Sequence, residues 1–160
     1  MSRVSAVGGG GPGRITSQVD EIDRRLLQEL TRDGRLSVSV LAARASISRA
    51  SAYSRVERLR TTGVLMGFTA LVDPARVGLT TSAYVALTIR QNSWRDLADR
   101  LRRVPEVKHM ALVGGDVDVM LLVRTMDNDA LRRVVLDRLQ DMQGVLSTRT
   151  LLIFEDLENR

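Results

Sequence analysis

Arginines and small hydroxyl side chains recur between Arg35 and Arg60, an interval with six arginines and a single acidic residue, Glu57. Guanidinium groups bind phosphate oxygens, and hydroxyls near the start of a helix can reach base edges in a DNA groove. The same composition also fits a helical surface that is merely solvated. On the first interpretation, the residues that contact DNA are Ser37, Ser48, Arg49, Ser51, Ser54, Arg55, Arg58 and Arg60.

The distribution of charge along the chain favours the DNA interpretation. Residues 1–68 carry 11 basic and 6 acidic side chains, whereas residues 69–160 carry 13 of each, so the formal net charge of +5 lies in the first segment. Such clustering is expected of a module that displaces counterions from a phosphate backbone. The sequence therefore predicts double-stranded DNA as a partner.

A turn rich in glycine and aspartate, formed by Gly114, Gly115, Asp116, Val117 and Asp118, could bind a small zwitterion. Glycine permits a positive φ and a close backbone approach, which exposes amides to a carboxylate, while either aspartate could pair with an ammonium. The alternative is an ordinary hairpin turn in which Asp116 makes a local backbone bond. Two carboxylates alone do not make a metal site, so no metal is expected.

Residues for other kinds of chemistry are scarce. The chain has one histidine, His109, and no cysteine, and no serine stands in a glycine-framed nucleophile motif, so nothing assembles an acid, a base and a nucleophile. The GGGGPG run lacks the Gly-Lys-Ser/Thr of a phosphate-binding loop. We therefore expect neither an enzyme nor a bound cofactor. Without cysteine, a signal peptide or a long apolar run, the sequence predicts a cytoplasmic protein that makes no membrane contact.

Three helices are predicted to position the basic residues. Asp20, Ser37 and Ser48 each precede apolar residues at helical spacing, so each is placed to cap a helix. The second and third helices form a helix-turn-helix pattern, and Val64–Met66 is predicted to form a short strand, the wing. The predicted divisions are a disordered tail at 1–18, a winged helix-turn-helix domain at 19–68, a linker strand at 69–79 and a second domain at 80–160.

The second domain is predicted to have the order β-α-β-β-α-β, because alternating and helical apolar patterns follow one another in that order. This is the ferredoxin-like arrangement, so the fold class of the whole chain is α+β. The expected elements are a strand from about Thr80, a helix capped by Ser93, strands at Val107–Val113 and Val117–Thr125, a helix from Asp127 or Asn128 to Gly144, and a strand at Val145–Phe154.

One predicted strand is apolar on both sides. Val119, Leu121 and Val123 alternate with Met120 and Leu122. In this fold the helices cover only one face of the sheet, so the other face needs a second cover. The sequence therefore predicts a dimer or a larger assembly, which suits a protein that reads two-fold related DNA half-sites.

Four short motifs occur together in this chain. They are DEIDR at Asp20–Arg24, DGR at Asp33–Arg35, RVxRL at Arg55–Leu59 and GDxD at Gly115–Asp118. Because these motifs occur in the same order and at similar spacing, the chain resembles the Lrp/AsnC family of bacterial and archaeal regulators, also called feast/famine regulators. The resemblance covers nearly all of the chain except the N-terminal tail.

This resemblance implies a winged helix-turn-helix DNA-binding domain joined to a ferredoxin-like domain that senses a ligand and forms a homodimer, which assembles to an octamer. It also implies an amino-acid effector bound where C-terminal domains meet, near Gly114–Asp118, with Thr148 and Thr150 as further candidates. The genes controlled would be those of amino-acid metabolism. Family recognition helices often have a proline near their start, whereas this chain has Arg49 and Ser51, so its base preference is expected to differ.

A function from another class also fits the sequence. It is an oligomeric small-molecule-binding protein whose helical domain mediates protein contacts. DNA binding with a steep dependence on salt separates the two, because each phosphate counterion released contributes about −0.9 to the log-log slope.

Overall fold

The computed structural model describes residues 19–90 and 94–156. The chain forms two compact units, which divide between Ala70 and Leu71. The predicted tail at 1–18 and the predicted helix cap Ser93 lie outside the described residues. The fold class is α+β, as the sequence predicts.

The N-terminal unit contains three helices. They are α1 (Glu21–Arg32), α2 (Val38–Arg44) and α3 (Arg49–Thr61). Apolar side chains at helical spacing bury one small core between them. The buried centre of this core is Leu26, Leu30, Leu41 and Ala45, and the partly buried residues packed against it are Ile22, Leu36, Ile47, Val56 and Leu65.

Polar caps determine where each of these helices begins. The Asp20 carboxylate accepts the Asp23 N–H at 2.8 Å, and the Asp23 carboxylate accepts the Asp20 N–H at 3.0 Å, which together form a capping box. The hydroxyls of Ser37 and Ser48 cap α2 and α3 by accepting the N–H three residues further on, at 3.3 and 3.2 Å. The three predicted helix starts are confirmed.

The turn between α2 and α3 depends on one residue with a left-handed backbone conformation. Ser46 has a φ of 55°, in the left-handed region. Its N–H donates to the Ala43 carbonyl at 3.1 Å, and the Ile47 N–H donates to the Ala42 carbonyl at 3.0 Å, the two bonds of a Schellman motif. After this turn, the Ile47 side chain packs against the helical core.

The segment after α3 differs from the prediction. No strand occurs between α3 and the first strand of the second unit, so the predicted wing strand at Val64–Met66 is wrong. The Leu65 N–H donates instead to the Leu59 carbonyl at 2.8 Å, which closes the end of α3, and the Leu65 side chain packs on the helical core. A strand needs a ladder partner, and the described chain offers none here. Residues 69–79 likewise contain no strand but a 3₁₀ turn at Ala75–Val77.

The second unit has the predicted order β-α-β-β-α-β. Its elements are β1 (Thr81–Ile89), α4 (Trp94–Leu101), β2 (Val107–Leu112), β3 (Val119–Thr125), α5 (Asn128–Arg133) and β4 (Val145–Ile153). The strands pair antiparallel in the order β2-β3-β1-β4, which is the ferredoxin-like topology. The predicted long second helix is α-helical only at first and continues as a π-helical turn at Val134–Leu139.

The sheet is apolar on both faces, as the sequence predicts. Val85 and Leu121 lie fully buried on the face that α4 and α5 cover. On the opposite face, Tyr84 stands between Leu122 of β3 and Leu151 of β4. Tyr84 is 44% exposed and Leu151 is 49% exposed, so no element of this chain that the structure describes covers this open sheet face.

Candidate DNA-binding helix and effector turn

The outer face of α3 carries four polar side chains. Arg49, Tyr53, Ser54 and Arg60 are all exposed. Arg49 stands at the first position of the helix, and Arg60 pairs with Glu57 at 2.9 Å near its end. This face presents guanidinium, phenol and hydroxyl donors along one side of the second helix of a helix-turn-helix, where base and phosphate contacts are made in such folds.

Tyr53 is a candidate that the sequence analysis missed. Its side chain is 60% exposed. The signal was present, because Tyr53 follows Arg49 by four positions and therefore lies on the same helix face. A large exposed aromatic beside Ser54 offers both stacking area and a hydroxyl donor.

The three serines predicted near the helix starts have different environments. Ser48 lies at the start of α3 beside Arg49, whereas Ser37 lies at the start of α2. Both hydroxyl oxygens accept a backbone N–H as caps, which leaves the hydroxyl hydrogen able to donate. Ser51 is half-buried in the first turn of α3.

Arg55 and Arg58 point from α3 toward the start of α1. The Arg55 guanidinium donates to Asp20 at 2.6 Å and to Asp23 at 2.9 Å. The Arg58 guanidinium donates to the second Asp23 oxygen at 2.5 Å. Asp23 is fully buried and also accepts the Asp20 N–H. We call these four residues the α1–α3 network, which the sequence analysis did not foresee.

The network changes the acidity of both carboxyls. Burial by itself would raise the pKa of Asp23, but the hydrogen bonds from Arg58, the Asp20 N–H and Arg55 outweigh it, so the pKa lies below its ordinary 3.8. The pKa of Asp20 is lowered by the Asp23 N–H and then by the Arg55 guanidinium. The pKa of Arg55 is raised, first by Asp20 and then by Asp23. These three side chains are therefore charged at neutral pH.

The predicted effector turn contains two aspartates with different environments. Gly115 has a φ of 126°, and Gly114, Gly115 and Asp116 are exposed. Asp118 instead extends the sheet, because its N–H donates to the Leu87 carbonyl at 2.9 Å and its carboxylate accepts the Ile89 N–H at 2.8 Å. Asp116 is the aspartate whose carboxylate faces solvent and can meet an ammonium.

Thr148 and Thr150 lie on β4, away from this turn. Thr148 pairs with Leu87 of β1, and Leu87 pairs on its other side with Val119 of β3. Two strand spacings, about 10 Å, therefore separate Thr148 from the β3 end of the turn. The Thr148 hydroxyl accepts the Gln140 amide at 2.8 Å. Within one chain, β1 therefore lies between Thr148 and the turn.

The described residues offer neither a cluster of metal ligands nor a helix that could cross a membrane. Among the described residues, no group of three or more His, Asp or Glu side chains is arranged to hold a metal ion. No helix in the described part of the chain is long and apolar enough to span a bilayer.

Two family descriptions match the chain. Residues 19–60 match the AsnC-type helix-turn-helix domain, and residues 82–160 match the Lrp/AsnC ligand binding domain. The two matches correspond to the helical unit and to the sheet-containing unit. The candidate DNA-contacting residues of α3, from Arg49 to Arg60, and the Gly114–Asp118 turn lie within them.

Several known proteins are similar to this chain over most of its length. The chain is 34% identical to the regulator AldR of Mycolicibacterium smegmatis over 98% of this chain and 96% of that protein. A transcriptional regulator from Neisseria meningitidis, solved as a complex with L-methionine, has a TM-score of 0.81 at 27% identity, covering 88% of this chain and 93% of the other. A feast or famine regulatory protein from M. tuberculosis, also complexed with L-methionine, has a TM-score of 0.80 at 38% identity, covering 88% and 95%.

The names of these relatives describe transcriptional regulators rather than enzymes, in agreement with the sequence prediction. The chain belongs to the Lrp/AsnC family of helix-turn-helix transcriptional regulators.

Proposed function

We propose that this regulator reads double-stranded DNA with the exposed face of α3 and changes its DNA affinity when an amino acid binds where C-terminal units of different copies meet. The observation that carries the proposal is the pairing of an outward-facing Arg49–Tyr53–Ser54 surface with a second unit of the Lrp/AsnC ligand-binding type. The genes proposed as targets are those of amino-acid metabolism.

The DNA contacts divide by position on the helix. Arg49, Ser51, Tyr53 and Ser54 lie in the N-terminal half of α3, which is the part that enters the major groove in helix-turn-helix proteins. We assign them to base edges and to the nearest phosphates. Ser37, Ser48 and Arg60 lie at helix ends, so they are assigned to the phosphate backbone, where hydroxyls and guanidiniums fix orientation without reading sequence.

An amino acid is the proposed effector because two structural relatives are complexed with L-methionine. In this chain, Asp116 supplies a solvent-facing carboxylate for the ammonium. The exposed backbone at Gly114 and Gly115 supplies amides for the carboxylate, and Gly115 adopts a φ that L side chains rarely allow. Gly114, Gly115 and Asp116 are exposed, so we propose that a second copy completes the site, with Thr148 and Thr150 contributed from its β4.

A homodimer that assembles further is the proposed oligomer. The open sheet face of Tyr84, Leu122 and Leu151 exposes apolar side chains that water does not solvate well. A second copy of the same face would bury them by two-fold symmetry. The octamer implied by the family would then require contacts between dimers, where the effector turns meet.

The experiment that tests the effector is a melting-temperature screen with all common amino acids. A ligand at about 100 times its dissociation constant stabilises the folded state by ~2.7 kcal/mol, which shifts the melting temperature by several degrees. We expect a response to one or a few related amino acids. A flat result across the panel contradicts an amino-acid effector.

The experiment that tests DNA binding is titration of the wild-type protein against a duplex selected from a random-sequence pool. We expect log affinity to fall steeply with log salt, with about −0.9 per phosphate neutralised. The Arg49→Gln variant should reduce this slope by about one such step. A wild-type protein whose selected duplex binds no better than an unselected one would contradict sequence-specific binding.

A further inference from the structure

The α1–α3 network ties the DNA-facing helix to the first helix at two points. Arg55 and Arg58 are three positions apart, so they are neighbours on one side of α3. One fully buried carboxylate, Asp23, accepts from both guanidiniums, at 2.9 and 2.5 Å. The Arg55 guanidinium also donates a hydrogen bond to the Asp20 carboxylate at 2.6 Å. Two anchors on one rigid helix restrict both its rotation about its own axis and its sliding along α1.

The carboxylates that receive these guanidiniums are themselves held rigidly. Asp20 and Asp23 are joined by the reciprocal capping box, at 2.8 and 3.0 Å. The network therefore connects the cap of α1 to the middle of α3. Flexible surface ion pairs give little orientation, whereas a buried acceptor with several short bonds determines geometry.

The same contacts bear on the charge that α3 offers to DNA. The positive charges of Arg55 and Arg58 face the negative charges of Asp20 and Asp23 within the protein. The Nη1 group of Arg55 and the Nη2 group of Arg58 are held by these carboxylates, and withdrawing either from the buried Asp23 to meet a phosphate would be costly. Arg49 is exposed and does not take part in this network.

We propose that Asp23, supported by Asp20, is a positioning residue for DNA recognition, and that Arg55 and Arg58 orient α3 rather than neutralise phosphates. This inference rests on the proposed DNA-binding role of α3. It assigns Arg55 and Arg58 a different task from the direct contact that their sequence pattern predicts.

The two interpretations give opposite signs for Asp23→Asn. If charge alone governs binding, removing an acidic group from the DNA-binding unit tightens binding. If the orientation of α3 governs binding, α3 of the Asp23→Asn variant samples orientations that cannot dock in the DNA groove. The apparent affinity then falls with the competent fraction, about tenfold weaker if one molecule in ten remains competent.

The experiment measures dissociation constants of the full chain for the selected duplex at several salt concentrations. The matched control is Glu21→Gln, which removes the same charge from a side chain that is 72% exposed at the start of α1. We expect Asp23→Asn to bind about tenfold more weakly than Glu21→Gln, and Asp20→Asn, which removes one carboxylate contact, to fall between them. Far-UV circular dichroism at the assay temperature verifies that each variant is folded.

The salt slope tests the role of the arginines. We expect Arg58→Gln to weaken binding with the slope unchanged, whereas Arg49→Gln lowers the slope by about 0.9. Amide hydrogen exchange gives a readout independent of DNA, and we expect it to accelerate in α3 of Asp23→Asn while the sheet of the second unit is unaffected.

Two results would overturn the inference. In the first, the Asp23→Asn and Asp20→Asn variants bind the selected duplex as tightly as Glu21→Gln does. In the second, Arg58→Gln lowers the slope of log affinity against log salt as much as Arg49→Gln does. Failure of the DNA-binding role itself is distinguishable, because the wild-type protein would then show no preference for the selected duplex while hydrogen exchange still reports whether Asp23 orders α3.

Discussion

Asp118 provides a sharp test of how the effector turn is built. The regular pairing of β1 with β3 ends at Leu87 and Val119. Beyond it, the Asp118 carboxylate accepts the Ile89 N–H at 2.8 Å and so replaces the carbonyl that a longer strand would have supplied. Asp118→Ala removes this acceptor and leaves the N–H without its partner.

The expected cost follows from the exposure of that bond. An unpaired buried donor costs about 1–3 kcal/mol, and the lower end applies because Ile89 is only partly buried and water can reach it. For a unit of this size, about 1 kcal/mol lowers the melting temperature by about 4–8 °C. Asp118→Asn keeps a carbonyl acceptor, so its decrease should be smaller. Asp116→Ala changes an exposed side chain and should remain within about 0.5 kcal/mol of the wild type.

The assay uses the fluorescence of Trp94, the single tryptophan, which packs against the core of the sheet-containing unit. Thermal melts are recorded with and without the amino acid found in the screen. Asp116→Ala should melt like the wild type but lose the ligand-induced shift, whereas Asp118→Ala should show both a lower melting temperature and a weaker response. Equal melting temperatures for Asp118→Ala and the wild type would refute the structural role of this carboxylate.

Three other substitutions test the helical turn, the network and the open sheet face. Ser46→Gly should stabilise the helical unit by about 0.5–1 kcal/mol in urea unfolding, since glycine removes left-handed strain, while Ser39→Gly inside α2 should destabilise it by a similar amount. Because the pKa of Asp23 is lowered, its contribution to stability is present above its unfolded value near 3.8 and is lost as the pH falls through the folded value. The helical signal of Asp23→Asn should therefore depend less on pH between about 5 and 2 than that of the wild type, and equal acid sensitivity would contradict this. Leu122→Lys on the open sheet face should shift the mass measured by light scattering toward the 17.7 kDa monomer, while Leu136→Lys, on the helical side, should not. An unchanged mass for Leu122→Lys would exclude this face as the dimer contact.

Local signals in the sequence predict the helix starts and the strand order well. Asp20, Ser37 and Ser48 form caps through atoms within three residues, so their role depends on short-range geometry that the sequence specifies. The alternation of β3 likewise needs only the two-residue period of a strand. The four family motifs predict the function, because they occur in both domains and in the order typical of Lrp/AsnC regulators.

Contacts between distant residues explain what the sequence did not predict. The Val64–Met66 segment has a β-like composition but no ladder partner, so it closes the end of α3 instead. The helix after Asp127 becomes π-helical at Val134–Leu139, where Val134, Val135 and Leu139 stay buried against the sheet. Tertiary packing decides both features, and neither has a distinctive local sequence.

By itself, the sequence determined that a basic helix-turn-helix precedes a ferredoxin-like sheet with two apolar faces, because caps, periodicity and charge clustering are properties of neighbouring residues. Only the tertiary structure decided which arginines face outward. Arg55 lies 32 residues from Asp23 along the chain, and the two meet only when α1 packs on α3. Tertiary structure likewise distinguished Asp116 from Asp118, since the strand beside the turn takes one carboxylate as a ladder acceptor and leaves the other in solvent.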